Sequence, residues 1–134
     1  MSKLSSGSTA GKMHGKWTEF PRVARNSTKT MQINLGYRCN QSCSHCHVDA
    51  GPNRTEEMQP ETIDLVFEYI DQWSIKTLDL TGGAPELHPL FEQIVRRARQ
   101  RDLHVIDRCN LTALLEEGQE ASANFLAENE VHII

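Results

Sequence analysis

The sequence predicts an α/β domain built on a parallel sheet of about four strands. Short apolar runs of strand length alternate with longer stretches whose apolar residues recur every three or four positions. Strands alternating with helices in this way imply βαβ units and a parallel sheet with right-handed crossovers.

The elements follow in order. In "TMQINL" (Thr30 to Leu35), Met31, Ile33 and Leu35 alternate as in a strand. A long loop follows, ending in the turn-rich "AGPNRTEE". A helix is expected from Pro60, a residue suited to the first turn, with Ile63, Val66, Phe67, Ile70 and Trp73 facing inward. "KTLDL" (Lys76 to Leu80) reads as the second strand, stopped by Gly82 and Gly83. "HPLFEQIVRRARQRD" reads as a second helix carrying Leu90, Phe91, Ile94, Val95 and Ala98 inward, with Arg96, Arg97, Arg99 and Arg101 on a solvated face. "LHVID" (Leu103 to Asp107) is a third strand, "LTALLEEG" a short helical turn, "EASANFLAEN" a third helix around Phe125 and Leu126, and "VHII" (Val131 to Ile134) a fourth strand.

Composition and charge narrow the function. At 134 residues, 38% hydrophobic and 24% charged, the composition is that of a globular domain. No apolar run approaches membrane-spanning length, so no membrane association is expected. Residues 1–38 carry a balance of +6 and residues 39–134 one of −10. Residues 1–28 are read as a disordered basic arm and 29–134 as the folded part. The acidic body argues against nucleic acid as a partner, because phosphate binding needs a basic face. Four cysteines without a signal sequence point to a reducing, cytoplasmic setting in which clustered thiols bind metal.

Strand C-terminal ends collect ligands in such sheets. Three loops lie there: the cysteine loop, "TGGAPEL" and "RCNLT". One rim should therefore gather Cys39, Cys43, Cys46, Gly82, Gly83, Glu86, Cys109 and Asn110. Cys39, Cys43 and Cys46 form a compact C-x3-C-x2-C loop with no fourth cysteine beside them. Structural zinc wants four ligands, usually as two separated pairs. A [4Fe–4S] cube suits one loop better, since three corners are wrapped and the fourth iron stays open to a small molecule. A zinc module using these cysteines with His47 or Cys109 is the competing reading.

"CNQSCSHC" after the first strand resembles the motif of the radical S-adenosylmethionine (radical SAM) superfamily. "INLGYRCNQSCSHCHVDAGPNRTE", "LDLTGGAPEL" and "VIDRCNLT" look like the arsenosugar biosynthesis branch, over roughly residues 30 to 134. The resemblance implies a partial (β/α)6 barrel, truncated here at the C-terminus and so the N-terminal part of a longer enzyme. It implies a [4Fe–4S] cluster and S-adenosylmethionine as cofactors. The open iron would chelate the amino and carboxylate groups of S-adenosylmethionine, and one electron from a flavodoxin or ferredoxin would release a 5′-deoxyadenosyl radical. In the arsenosugar branch the adenosyl group goes to a small-molecule substrate, a trivalent methylated arsenical. A peptide or tRNA substrate is the alternative within the superfamily.

Carried over by position, Cys39, Cys43 and Cys46 match the cluster ligands. His45 holds the position near the cofactor's adenine, and Gly82 and Gly83 the stretch that meets its methionine end. The superfamily usually has an acid directly after the glycines. Here Ala84 stands there and Glu86 follows two later, which leaves open which group binds the ammonium. Cys109 and Asn110 follow the third strand, where the family reaches the ribose or the substrate, and Cys109 is the possible catalytic residue.

Overall fold

The computed structural model describes residues 23–24 and 26–134, so most of the expected basic arm lies outside the described residues. Four strands form one parallel sheet in the order β1-β2-β3-β4: β1 is Thr30–Asn34, β2 Thr77–Thr81, β3 His104–Asp107 and β4 His132–Ile133. Helix α1 (Pro60–Trp73) connects β1 to β2, α2 (Phe91–Arg99) connects β2 to β3, and α3 (Ser122–Glu128) connects β3 to β4. The alternation read from the sequence is therefore the observed topology, a partial barrel wall.

The period of two divides the sheet into unlike faces. Ile33 lies opposite Leu80, and Leu78 opposite Val105. These side chains are buried in one core with Ile63, Val66, Phe67 and Ile70 of α1 and Ile94, Val95 and Ala98 of α2. Each fully buried aliphatic side chain contributes about 1.5–3 kcal/mol relative to exposure. The other face is polar. Gln32 Nε2 donates to Asp79 Oδ2 at 2.8 Å, and the Arg108 guanidinium donates to both Asp79 oxygens at 3.0 and 2.9 Å.

Helix α2 starts at Phe91, three residues later than the sequence pattern suggested. Pro89 disfavours helical geometry at the residue before it, and His88 is extended at φ −72°, ψ 132°. The buried His88 ring then spans two elements, with Nδ1 accepting from the Leu90 amide and Nε2 facing the Met58 carbonyl at 3.1 Å.

Two expectations need correction. Trp73 is 56% exposed and stacks on Tyr69 with ring centres 5.8 Å apart. Its spacing of three from buried Ile70 and seven from buried Val66 keeps it near the buried face, but as the last residue of α1 it stands at the helix end and packs on Tyr69 rather than in the core. The arginines of α2 and of the turn that follows it do more than meet solvent. Arg97 pairs with Asp64 at 2.7 Å and Arg101 with Asp71 at 3.0 Å, both on α1. Their guanidinium groups lie 4.2 and 5.0 Å from the centre of the Phe67 ring, so they tie α2 to α1 and cap the core edge. No helix among the described residues is long and apolar enough to cross a membrane.

Candidate functional site

The cysteine loop hangs from a backbone frame. Tyr37 N donates to Glu56 O at 3.0 Å, Gly51 N to Tyr37 O at 3.0 Å and Met58 N to Leu35 O at 2.8 Å, so the two ends of the loop pair with each other. The loop after β2 docks on the same frame, with Gly83 N donating to Gly36 O at 3.0 Å and Ala84 N to Arg38 O at 2.9 Å. Glycine is required by this docking. Gly82 has φ +146°, and a Cβ there would stand 2.6 Å from the Gly36 carbonyl oxygen. A Cβ on Gly83 would overlap the Arg38 carbonyl. From the sequence, these glycines were expected to let backbone approach a ligand. The structure shows that they first let two loops approach each other.

The tip of the loop faces a cavity of about 530 Å³ at the C-terminal ends of the strands. Cys39, Cys43, Cys46, His45, Gly82, Gly83, Cys109 and Asn110 all line it, together with His47 and Arg108. The convergence of three loops expected from topology is thus present for every expected rim residue except Glu86.

The three loop cysteines are free thiols with unequal exposure. Cys39 is buried, Cys46 half-buried and Cys43 exposed. N–H groups point at two of their sulfurs. Cys46 Sγ accepts from Ala50 N at 3.2 Å, and the amides of Ala50 and Val48 hold its pKa below the ordinary thiol value. Cys39 Sγ accepts from Asn110 Nδ2 at 3.3 Å and from Gln41 N at 3.5 Å. Donors aimed at sulfur stabilise thiolates and tune iron–sulfur clusters, so this donor set suits a [4Fe–4S] cluster at three corners.

Asn110 has a role the sequence did not reveal. Its Nδ2 also donates to Asn40 Oδ1 at 2.8 Å, which in turn accepts from Thr112 Oγ1 at 3.1 Å. The loop after β3 is thereby fastened to the cysteine loop beside Cys39.

Glu86 lies behind the rim, in a short 3-10 turn over Pro85–Leu87, and is only 4% exposed. Its carboxylate turns toward Cys109 and Asp107 rather than into the cavity. Burial raises its pKa, and the Cys109 thiol and Asn110 amide offset this in part without making a hydrogen bond of normal geometry. Burial pushes Asp107 up to about 8, with the Glu86 charge adding to the shift. Cys109 is raised by burial first and by Glu86 next, the opposite direction to Cys46.

Two features were missed from sequence. Asp107 was assigned nothing, yet it is fully buried. Asp79 was also unassigned, yet its ion pair with Arg108 supports a side chain that lines the cavity. The available signal was an acid inside each of the apolar strands "TLDLT" and "HVID", positions where an uncompensated charge is costly.

A parallel α/β wall with three free thiols on the loop leaving its first strand, facing the glycine backbone of the next loop, defines a domain suited to hold an iron–sulfur cluster and a small cofactor at its rim. The chain belongs to the Radical SAM superfamily, whose family pattern matches residues 33–133. Members of that family use a [4Fe–4S] cluster and S-adenosylmethionine, and the cysteine motif for them is present here. The chain is 31% identical over 97 residues to a probable GTP 3′,8-cyclase of Pyrococcus abyssi, covering 68% of this chain and 31% of the relative. It is 43% identical over 56 residues to the putative peptide biosynthesis protein YydG of Bacillus subtilis, covering 41% of this chain and 18% of the relative. It is 35% identical over 81 residues to the pre-heme d1 synthase of Dinoroseobacter shibae, covering 59% and 20% respectively. The chain thus spans less than a third of the length of these curated relatives.

Proposed function

We propose that this chain is the cluster- and cofactor-binding part of a radical SAM enzyme acting on a small-molecule substrate. The observation that carries this reading is that one cavity is lined by Cys39, Cys43 and Cys46, by Gly82 and Gly83, and by Cys109 and Asn110. In this reading Cys39, Cys43 and Cys46 hold the cluster, and N–H groups of Ala50, Gln41 and Asn110 donate to two of their sulfurs. Gly82 and Gly83 form the wall that meets the methionine end of S-adenosylmethionine, and His45 lies beside its adenine. Arg108, held by Asp79, presents a guanidinium at the cavity for an anionic group. Once bound, the cluster and S-adenosylmethionine would supply one-electron cleavage to a 5′-deoxyadenosyl radical. Exposed Cys43 marks the side on which a cytoplasmic flavodoxin or ferredoxin could deliver the electron.

For the substrate we favour a trivalent methylated arsenical receiving the adenosyl group. Support for it is the wording of "LDLTGGAPEL" and "VIDRCNLT" and the absence of an acid directly after Gly83. A peptide substrate is the second reading, favoured by the 43% identity to the putative peptide biosynthesis protein.

The test is anaerobic reconstitution with iron and sulfide, followed by EPR of the reduced protein with and without S-adenosylmethionine. Iron and sulfide in roughly a four-to-four ratio and a spectrum altered by the cofactor are expected. One zinc per chain bound by the loop cysteines, with no iron, would replace this reading by the zinc module. Mass analysis of products from the full-length protein, offered an arsenical or a peptide, decides the substrate.

A further inference from the structure

Behind the cavity wall lies a second group of metal-ligating side chains, of which the reading above uses only Cys109, as part of the cavity lining. Glu86, Asp107 and Cys109 each offer one donor atom, and the three atoms lie within 4.8 Å of one another. An ion centred among them would lie no more than about 2.8 Å from each, within a few tenths of an ångström to about 0.8 Å of zinc–oxygen and zinc–sulfur distances.

The second observation is independent of that clustering. All four carboxylate oxygens of Glu86 and Asp107 are buried and have no hydrogen-bond partner. Glu86 is 4% exposed and Asp107 0%. Buried polar groups are almost always satisfied, and buried charges are paired or bind metal. Among the described residues, no lysine, arginine or histidine pairs with either acid, and Arg108 is committed to Asp79. Two orphan carboxylates and a thiol turned toward one point thus await a positive partner.

We infer that Glu86, Asp107 and Cys109 form a mononuclear divalent-cation site, of the zinc class, between the loop after β2 and the end of β3. The mixed donor set points to that class. Carboxylate oxygen and thiolate sulfur are both zinc ligands, whereas calcium and magnesium take oxygen alone. The ion would join Glu86 of the loop after β2 to Asp107 and Cys109 at the end of β3. Cys109 also lines the cavity, so the ion would brace that wall from behind. This site shares no ligand with the cysteine loop and stands whether or not the loop holds a cluster.

Cobalt(II) is the probe, because thiolate–cobalt bonds give a near-ultraviolet charge-transfer band. The protein is the full chain carrying Cys39→Ala, Cys43→Ala and Cys46→Ala, which leaves Cys109 as its only cysteine. One cobalt per chain with that band is expected, displaced by zinc. The added change Cys109→Ala should abolish the band, and Glu86→Gln or Asp107→Asn should weaken binding at least tenfold. Circular dichroism checks that each variant is folded. Should the triple variant fail to fold, zinc is counted in the chain with its cysteines intact and its iron reconstituted, where one zinc beside the iron, lost in Glu86→Gln, is expected. Absence of the band in the folded triple variant, or zinc content unchanged by Glu86→Gln, overturns the site and leaves two protonated acids in its place.

Discussion

Cys46 and Cys109 line the same cavity, but their surroundings give their thiols opposite characters. Cys46 sits on a loop tip where successive amides turn inward, and these lower its pKa. Cys109 sits against Glu86 and Asp107, and burial with two acidic neighbours raises it. The front of the cavity therefore offers its thiols chiefly N–H donors, and the back chiefly buried side-chain acids. A cysteine's chemistry here is set by which side it faces, not by its place in a motif.

The largest test of this contrast is metal content. Replacing Cys39, Cys43 or Cys46 by Ala should remove the iron and sulfide, whereas Cys109→Ala should leave them unchanged. Full loading of Cys43→Ala, measured by iron and sulfide analysis, would erase the distinction between front and back.

Next comes the seam that carries the front. Gly83→Ala forces the Arg38 carbonyl to move and should cost about 3 kcal/mol in chemical denaturation. The cysteine loop should also become more susceptible to proteolysis. A loss below about 0.5 kcal/mol would mean the loops are not held together there.

The back should be read in pH. Asp107 has a folded pKa of about 8 against 3.8 in the unfolded chain, and Glu86 is shifted in the same direction. The folded chain keeps a proton that the unfolded chain releases, so this contribution is full below the unfolded value and lost as pH rises through the folded one. Chelator-treated protein should lose stability from about pH 4 to pH 8, and Asp107→Asn should flatten the slope. Thermal melts across that range measure it, and a rising slope in both proteins would contradict the burial argument.

A smaller difference is expected in reactivity. In cluster-free chain near neutral pH, iodoacetamide should modify Cys46 roughly tenfold or more faster than Cys109, as read by peptide mass mapping. Equal rates would mean the two environments do not differ as described. Smallest of all, Trp73→Ser lies outside both regions and should change stability by no more than about 0.5 kcal/mol in denaturant.

The elements that carry a strong period were legible. Ile63, Val66, Phe67 and Ile70 were read as one face and form it, and all four strands lie where the apolar runs placed them. Trp73 was misread because it keeps the period of Val66 and Ile70, although as the last residue of α1 it stands at the helix end, outside the core. The rim was legible because the end of each parallel strand lies on one side of the sheet. Glu86 was placed on that rim because it belongs to the loop "TGGAPEL" after the second strand. The 3-10 turn at Pro85–Leu87 instead buries it, and that turn has no periodic signature. Asp107 went unassigned because a strand's last residue can face either solvent or core, and only the register opposite Leu80 decides.

The frame beneath Cys39 to Ala50 consists of amide and carbonyl groups, and its demands on side chains are met chiefly by absent Cβ atoms. Residues such as Gln41, Ser42 and Ser44 are then free to vary without disturbing how the tip is hung. Such a support would let descendants of one ancestor retune the mouth of the pocket for new molecules while the thiols stay in place.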